Sequence, residues 1–393
     1  MTRPIKAVFA SHGETLSGGA ERTLLESVRG LAADGRVEPV VTVPAEGPLA
    51  AALREGGVRV MVVPTPLWTP YEPGAFAART RLGRFRRRAR VMARTLRYSR
   101  VWLRMLRVER PDVVVTNTVT PASPALSAKA LGIPHVWMVH EFLTLDHGLD
   151  YALGEPLSQR AVGALSAGVI VNSRAVARHF ARRVPSRKLV VAYPPVDVPT
   201  VAPNDFESER LRLLLLGRQT RSKGSLLAVE ALGLLRGPCP PVLRLVGWVS
   251  DEFRAELEVR AKELGVADRV EIAGATKEPF AAIEWANVLL MCSDHEAFGR
   301  VTAEALKSGR PVVGSRSGGT VEIVTEGEDG LLFDPGDPAE LAAAVDRLAH
   351  DRRLLRSLGE RALELSADRY TIGEHMGIVV GVLQAVTGVR PRR

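Results

Sequence analysis

Short hydrophobic runs alternate with longer helix-like segments along almost the whole chain. The runs are four to six residues long and rich in β-branched side chains, and most of them precede a segment with helical periodicity. This alternation is typical of α/β proteins built on parallel sheets. The predicted strands of the first half are Lys6–Ala10, Pro39–Val43, Val58–Val63, Asp112–Thr116, His135–Val139, Gly168–Val171 and Leu189–Ala192.

A proline-rich break separates this series from a second one. Pro194–Arg210 contains four prolines and little hydrophobic periodicity, which indicates an interdomain linker. The strands predicted after it are Leu211–Leu216, Val242–Val246, Val270–Ala273, Val288–Cys292, Pro311–Gly314 and Gly330–Phe333. The sequence therefore predicts two α/β domains of similar size, with a ligand site in the cleft between them at the carboxyl ends of both sheets.

Composition narrows the class of protein. Hydrophobic residues make up 46% of the 393 positions, which excludes intrinsic disorder. The two cysteines, Cys239 and Cys292, cannot form a disulfide framework and lie in no metal-binding spacing. The N-terminal residues read as a first strand and not as a signal peptide, and no apolar run reaches the length of a membrane span. We therefore expect a cytoplasmic protein.

The excess of basic residues is confined to one segment. The whole chain has a formal charge of +9, but residues 79–110 contain thirteen arginines and one acidic residue, Glu109. That segment carries +12, which leaves −3 for the rest of the chain. Hydrophobic residues recur within it at helical spacing, which predicts an amphipathic helix. These residues are Leu82, Phe85, Ala89, Met92, Leu96, Leu103 and Leu106.

Three interpretations of this basic helix stay open. It is a crossover helix packed on the first sheet, a contact with the anionic headgroups of the cytoplasmic leaflet, or a device that attracts an acceptor bearing phosphates. We favour membrane contact. Nucleic-acid binding is not favoured, because the segment has few aromatic residues and matches no RNA- or DNA-binding module. The residues expected to face the membrane or the acceptor are Arg86, Arg87, Arg88 and Arg90.

The most informative segment for chemistry is Cys292–Gly309, CSDHEAFGRVTAEALKSG. A predicted strand ends at its start, Gly299 supplies a tight turn, and a helix follows. The N–H groups at a helix start attract an anion, and Glu296 and Glu304 flank this position. A nucleotide sugar, with a diphosphate between two hydroxyl-bearing groups, has the matching layout. The plainer alternative is a helix cap and a solvated glutamate.

Other strand ends in the second half also carry chemistry. Arg218, Arg221 and Lys223 follow the strand Leu211–Leu216, in the position where cations meet a diphosphate, although a solvated loop is the alternative. The glycine-rich turn Gly314–Glu322 follows another strand, and it is equally explained as a turn with a helix cap.

Two features of the first half lie at the same kind of edge. Ser17–Glu21 (SGGAE) follows the first strand and opens a helix, so its backbone would approach a phosphate or an acceptor closely. His140, with Glu141 after it, ends the strand His135–Val139 and faces the predicted cleft. A single histidine in this position is as often structural as functional.

Together these residues resemble the retaining GT-B glycosyltransferases of family 4. The centre of the resemblance is the pair Glu296 and Glu304, and it covers most of the second half. Support from the first half is looser, and His140-Glu141 stands where the family commonly has His-Asp. The segments that carry the resemblance are Gly217-Arg218, Lys223-Gly224, Glu296–Gly299, Glu304-Ala305, Gly309–Val313, Gly318-Gly319, Glu322–Val324, Gly330–Leu332, Gly18-Gly19 and Pro111–Val114.

The resemblance implies a GT-B fold, in which two Rossmann-like domains face each other across a cleft. Residues 1–200 would form the acceptor domain, which includes the basic segment 79–110. Residues 201–370 would bind the nucleotide-sugar donor. Residues 371–393 would form a helix that returns to the first domain, followed by a basic tail.

The resemblance also implies roles for individual residues. Arg218 and Lys223 would bind the donor diphosphate, and Glu304 the ribose hydroxyls. Glu296 would hold the donor sugar, and His140 would face the transferred sugar from the first domain. The catalytic set is then Glu296, His140, Arg218 and Lys223, and the donor-binding set is Gly19, Arg218, Lys223, Phe298, Gly299, Arg300, Val301 and Glu304.

The expected reaction needs no metal. Breaking a sugar–phosphate bond develops negative charge on the departing diphosphate, and fixed cations with a helix N-terminus stabilise that charge. The chain contains no Asp-x-Asp pair, the usual metal-binding signature for such a donor. The resemblance alone implies retention of configuration. We also expect no cofactor besides the nucleotide sugar, and a hydroxyl acceptor on a lipid-linked or membrane-associated glycan of cell-envelope polysaccharide synthesis. The protein would work on the inner face of the plasma membrane.

Two alternatives keep this fold. A nucleotide-sugar 2-epimerase shares the architecture and turns over without an acceptor. A transferase that acts on a soluble small-molecule acceptor is the other.

Overall fold

The chain forms two compact units that are not divided at a single point. In the computed structural model, which describes residues 3–16, 18–69, 80–237 and 239–389, one unit combines Met1–Pro195 with Tyr370–Arg393. The other unit is Val196–Arg369. The second unit is therefore inserted into the sequence of the first.

The first unit is built on a parallel sheet of seven strands in the order β3-β2-β1-β4-β5-β6-β7. The central strands β4 to β6 are buried at every position, as expected for a parallel sheet that is covered on both faces. Each strand lies within two residues of a predicted one. The strands are β1 (Ile5–Ala10), β2 (Val37–Val43), β3 (Arg59–Val62), β4 (Val113–Asn117), β5 (His135–Val139), β6 (Gly168–Val171) and β7 (Leu189–Val191).

Helices connect these strands, as parallel pairing requires. Aliphatic residues on the inner faces of the helices pack against the sheet, for example Leu24, Val28 and Leu31 of α1. The helices are α1 (Gly19–Asp34), α2 (Pro48–Glu55), α3 (Arg81–Glu109), α4 (Ser123–Ala130), α5 (Thr144–His147), α6 (Glu155–Leu165) and α7 (Arg174–Ala181).

The second unit repeats this architecture with a parallel sheet of six strands in the order β10-β9-β8-β11-β12-β13. Its strands are β8 (Arg212–Leu216), β9 (Val242–Val246), β10 (Val270–Gly274), β11 (Val288–Met291), β12 (Val312–Ser315) and β13 (Gly330–Phe333). Its helices are α8 (Ser225–Leu234), α9 (Asp251–Glu263), α10 (Pro279–Trp285), α11 (Arg300–Lys307), α12 (Thr320–Ile323), α13 (Pro338–His350) and α14 (Arg352–Ser366). The prediction of two Rossmann-like α/β units is confirmed.

The last helix, α15 (Ile372–Thr387), packs on the first unit, as the resemblance implied. Val379, Val380 and Leu383 lie in the same core as β1 and α1. The ring of His375 is also buried there, and Nε2 lies 2.8 Å from Oγ of Ser27 on α1.

Most of the segment predicted to be a linker packs on the second unit. Asn204 donates from Nδ2 to the carbonyl oxygen of Asn287 (2.9 Å), and Asn287 donates from Nδ2 to the carbonyl of Asp205 (2.7 Å). Phe206 packs against the core of the same unit. The segment that the sequence indicated as an interdomain linker is therefore held mainly against the second unit.

The basic helix α3 buries only part of the face that its hydrophobic spacing predicted, since Leu106 is buried and Met92 and Leu103 are partly buried. Leu82, Phe85 and Leu96 are exposed, whereas Thr95 and Ser99 are buried against α4. The two helices approach closely because small hydroxyl side chains lie between them. Ser127 on α4 donates from Oγ to the carbonyl oxygen of Ser99 (2.9 Å), and a bulky leucine at this interface would hold the helices apart.

No helix within these described ranges combines the length and the apolarity that crossing a membrane requires.

Candidate functional site

In the second unit, the loop after β11 turns into α11 at a glycine. Gly299 precedes the helix with φ of +100°, a left-handed conformation that a side chain disfavours. A Cβ atom there would also lie 3.1 Å from Oγ1 of Thr302. The turn therefore requires glycine, and it leaves the first N–H groups of α11 directed toward the loop.

Glu296 is fixed in this loop through both its side chain and its backbone. Oε2 accepts a hydrogen bond from Oγ of Ser293 (3.1 Å) and forms an ion pair with Nζ of Lys223 (2.7 Å). The carbonyl oxygen of Glu296 accepts from the N–H of Gly319 (2.7 Å). A Cβ on Gly318 would lie 2.1 Å from that same carbonyl, so the glycine-rich turn packs directly on the Glu296 backbone.

Lys223 comes from a different loop, which follows β8. A short 3-10 turn over Arg221–Lys223 is capped by Thr220, whose Oγ1 accepts from the N–H of Lys223 (3.3 Å). Gly224 then adopts φ of +73°, and a Cβ there would lie 2.3 Å from the carbonyl oxygen of Cys292. This close approach brings the β8 loop against the end of β11, and it explains why Lys223 reaches Glu296 across 73 residues of sequence.

Arg218 lies on the same loop and is exposed, five residues before Lys223. Arg221 forms an ion pair with Glu256 of α9, which directs it toward that helix. The structure thus distinguishes the three cations that the sequence grouped together, because Lys223 contacts Glu296 and Arg221 contacts α9.

Glu304 lies on the first turns of α11 and is almost completely buried. Its Oε1 lies 3.4 Å from Nε of Arg300, one turn earlier on the helix. Phe298 is buried before the turn, and Val301 is partly buried after it. The donor-binding residues predicted in this segment therefore all lie around the start of α11.

In the first unit, His140 follows β5 and its ring is held by a residue that the sequence analysis missed. Oδ1 of Asn117, at the end of β4, lies 2.8 Å from Nε2 of His140. The Asn117 amide donates from Nδ2 to the carbonyl of Ala20 (3.1 Å), in the first turn of α1. An amide oxygen accepts only, so this arrangement assigns the proton to Nε2 of His140. A polar residue at the end of a buried strand was the signal available.

Glu141 points inward and secures the backbone around His140. Its carboxylate accepts from the N–H of Val119 (2.9 Å) and from the N–H of His140 (3.1 Å). Burial, with a smaller contribution from the nearby Asp146, raises the pKa of Glu141 to about 7. Glu141 stands where the family commonly has aspartate. In this chain its side chain holds the backbone on either side of the strand end and does not point out beside His140.

The Gly18-Gly19 turn at the start of α1 is covered by a carboxylate. Glu21 folds back so that one oxygen would lie 2.2 Å from a Cβ on Gly18, and the other lies 3.1 Å from Nε2 of His12. Although burial opposes it, the hydrogen bond from His12 lowers the pKa of Glu21 below its usual value. Glu21 and His12 were not predicted as site residues, and they place an anionic group beside Gly19.

The predicted membrane residues lie elsewhere on the first unit. Arg86, Arg87 and Arg90 are exposed on α3, and Arg88 is partly buried. In the parts of the chain that the structure describes, no group of three or more histidine, cysteine, aspartate or glutamate residues is placed to hold a metal ion.

Two families match the chain, one for each half. Residues 201–365 match Glycosyl transferases group 1, and residues 17–199 match Glycosyltransferase Family 4. Together the matches include every residue of the Glu296, Glu304 and His140 sites.

Curated relatives match shorter stretches. The lipopolysaccharide core biosynthesis glycosyltransferase LpsE of Rhizobium meliloti (strain 1021) is 33% identical over 159 residues, which is 40% of this chain and 45% of LpsE. The MMP alpha-(1->4)-mannosyltransferase of Mycolicibacterium hassiacum is 29% identical over 287 residues, 65% of this chain and 66% of that protein. The chain thus spans less than half the length of LpsE.

The fold is also similar to solved structures. The crystal structure of Anabaena Alr3699/HepE in complex with UDP and glucose has a TM-score of 0.74 and 21% identity, with 97% of this chain and all of that chain covered. WaaG, a glycosyltransferase involved in lipopolysaccharide biosynthesis, has a TM-score of 0.67 and 17% identity over 98% of this chain and all of that one.

Proposed function

Because this chain belongs to the group 1 glycosyltransferases and has the GT-B fold, we propose that it transfers a sugar, with retention of configuration, from a nucleotide sugar to a hydroxyl acceptor. The observation that carries the proposal is the contact between Lys223 and Glu296 at the start of α11. It places a cation and a carboxylate, from two separate loops, beside a helix N-terminus.

These groups suit the two ends of a donor. Lys223 and Arg218 provide positive charge for a diphosphate, and the N–H groups of α11 add to it. Glu296 accepts hydrogen bonds from sugar hydroxyls, and Glu304 accepts them from the ribose. When the donor binds, its phosphate oxygens take over part of the Lys223 interaction, which frees Glu296 for the sugar.

The chemical step follows from the same groups. Cleavage of the sugar–phosphate bond leaves an extra negative charge on the diphosphate, and Lys223, Arg218 and the α11 dipole stabilise that charge as it develops. The acceptor hydroxyl attacks from the face that the diphosphate leaves, and a diphosphate oxygen takes its proton. Glu296 remains a hydrogen-bond acceptor throughout and forms no covalent intermediate. No metal is required, because Lys223 and Arg218 supply the positive charge that a metal ion would otherwise provide to the diphosphate.

The first unit supplies the acceptor side. His140, whose ring is oriented by Asn117, faces the transferred sugar. Gly19 opens the turn beside it. Arg86, Arg87, Arg88 and Arg90 give this unit a basic helix, and on that basis we place the enzyme on the inner face of the plasma membrane. The acceptor would be a lipid-linked or membrane-associated glycan of a cell-envelope polysaccharide pathway, the kind of product that the name of LpsE describes.

A donor screen tests this proposal. Purified protein is incubated with UDP-, GDP- and ADP-sugars, with and without a lipid-linked sugar acceptor, and nucleotide release and glycosylated product are measured. We expect product with one donor, in the presence of a chelator, and loss of product in Glu296→Gln. Glu258→Gln, an exposed change on α9, is the matched control. Turnover of the donor without any acceptor, or strict dependence on added Mn²⁺ or Mg²⁺, would contradict the proposal.

A further inference from the structure

The first half of α3 presents an apolar stripe to solvent. Leu82, Phe85 and Leu96 are 58%, 69% and 56% exposed, and Ala89 between them is exposed as well. At about 100° per residue, these four side chains fall within a sector of about 60° on the helix surface. Large apolar side chains that share one face of a helix and stay in water indicate a surface that is covered by something else.

The core of the unit does not use this stripe. The buried positions of α3 are Thr95, Ser99, Trp102, Leu106 and Glu109, and their centre lies about 110° around the helix from the stripe. The helix therefore has an inner face that contacts α4 and, separate from it, an outer apolar face. Packing on the sheet explains the first face only.

Arginines border the stripe on its other side. Arg86, Arg90 and Arg97 are exposed and occupy the next sector of the helix, about 40° to 80° beyond Leu82. The acidic residue of α3, Glu109, is at the far end and is paired with Lys6 and Arg59. An apolar strip with a flanking row of arginines is the pattern of a helix that lies in the interface of an anionic bilayer.

The same helix extends past the edge of the sheet. Its C-terminal end contacts the amino edge, where Nζ of Lys6 donates to the carbonyl of Glu109 (2.7 Å). Arg94 reaches the carbonyl of Leu67, next to Trp68, whose N–H bonds to Thr120 just after β4. Arg94 is thus level with the carboxyl edge, and the preceding part of α3, residues 81–93, projects about 20 Å beyond it.

We propose that this stripe, Leu82, Phe85, Ala89 and Leu96, inserts into the headgroup and upper acyl region of an anionic membrane, with Arg86, Arg90 and Arg97 on the lipid phosphates. The inference rests on the proposed function for its purpose, since the projecting end lies on the same sheet edge as His140, where a lipid-linked acceptor would be presented. It goes beyond a general attraction of positive charge, because it assigns insertion to particular apolar residues.

A bilayer fits this surface better than a second copy of the chain. Two such faces would bring two rows of arginines together, and like charges in contact oppose association. An anionic membrane supplies both the negative charge and an apolar layer within reach of Phe85.

Vesicle sedimentation tests the proposal directly. The probe is vesicles of phosphatidylglycerol and phosphatidylcholine, compared with phosphatidylcholine alone. We expect the unaltered protein to bind the anionic vesicles, and the double variant Leu82→Ser, Phe85→Ser to bind at least tenfold more weakly. Val108→Ser is the matched control, because Val108 is 80% exposed on the other end of α3 and lies outside the stripe. Thermal unfolding checks that all three proteins are equally folded.

The outcomes separate insertion from its alternatives. Binding that is unchanged in the double variant but lost in Arg86→Gln, Arg90→Gln would show charge attraction without insertion, and it would overturn the proposal. Failure of the unaltered protein to bind anionic vesicles would overturn it too. So would a dimer, detected by sedimentation velocity, that dissociates in the double variant. Sugar transfer to a detergent-solubilised acceptor is measured separately, on the unaltered protein, the Leu82→Ser, Phe85→Ser variant and Val108→Ser. Equal activity in these three proteins supports the proposed function whether or not the vesicles are bound.

Discussion

Oδ1 of Asn117 lies 2.8 Å from Nε2 of His140, and through its Nδ2 the same amide reaches the first turn of α1. One side chain thus links the ends of two neighbouring strands to the glycine turn. This contact fixes which nitrogen of the His140 ring carries the proton and how the ring is oriented.

Asn117 is therefore predicted to be a positioning residue for His140. Asn117→Ala should lower kcat about 10²-fold, with less effect on the donor KM, because a displaced His140 contributes less to the transition state. Asn117→Asp, which places a carboxylate beside the ring, should shift the NMR titration of the His140 ring to higher pH. In a His140→Ala background the Asn117→Ala change should cost nothing further, and independent, additive losses would argue against this role.

The ion pair between Lys223 and Glu296 leads to a second prediction, on the rate of sugar transfer. Lys223→Gln should lower kcat about 10²- to 10³-fold, because it removes charge from the site where the diphosphate departs. Lys223→Arg should retain part of the activity. Lys262→Gln, an exposed change on α9, is the control. Steady-state kinetics would decide, and a variant with normal kcat would exclude Lys223 from the leaving-group site.

Gly318 is predicted to be intolerant of a side chain for a reason that goes beyond its backbone angle. Gly318→Ala would bring Cβ to 2.1 Å from the Glu296 carbonyl and displace the carboxylate, so donor binding should weaken at least tenfold. Gly327→Ala is the matched control, since Gly327 has φ of +77° and open space around it. Both changes should cost about 1–2 kcal/mol of unfolding free energy from the left-handed backbone. Equal donor affinity in the two variants would show that the Glu296 contact is unimportant.

Glu141 should make stability depend on pH. Its pKa is raised from 4.5 to about 7 in the folded protein, so between these values the folded state binds more protons than the unfolded state. Stability from this group therefore falls as pH rises from 4.5 to 7 and changes little above 7. The raised pKa corresponds to about 3 kcal/mol.

Urea unfolding at pH 5 and pH 8 measures this effect. Glu141→Gln should reduce the loss of stability between the two pH values relative to the unaltered protein, since the groups common to both cancel in the difference. A pH dependence that is identical in the two proteins would show that folding does not raise the pKa of Glu141.

The sequence predicted the strands well because they are buried on both faces. A strand such as β6, with the sequence GVIV, is hydrophobic at every position and is bounded by helical segments, and few other structures fit that pattern. The positions of Glu296 and Lys223 were also foreseeable, because both follow strands whose carboxyl ends lie at one edge of the sheet.

What the sequence did not reveal depends on contacts between distant segments. Ser123 and Ser127 of α4 donate hydrogen bonds to the carbonyl oxygens of Thr95 and Ser99 on the inner face of α3, and hydrophobic spacing within α3 carries no information about these partners. In the same way, the roles of Asn117 and Glu21 depend on their contacts with His140 and His12, which are distant in the sequence or on a different element. The polar residue at the end of a buried strand was a weak signal for Asn117, and a glutamate in a first helical turn is too common to single out Glu21.

The interleaved order of the two units has a consequence for how the chain is made. Val379, Val380 and Leu383 of α15 belong to the core of the first unit, but they are synthesised after the whole of Val196–Arg369. During translation the second unit has all of its residues available before the first does. Until α15 has been synthesised, the surface of the first unit that α15 will cover is exposed to solvent. During this period the N-terminal part can aggregate or bind chaperones.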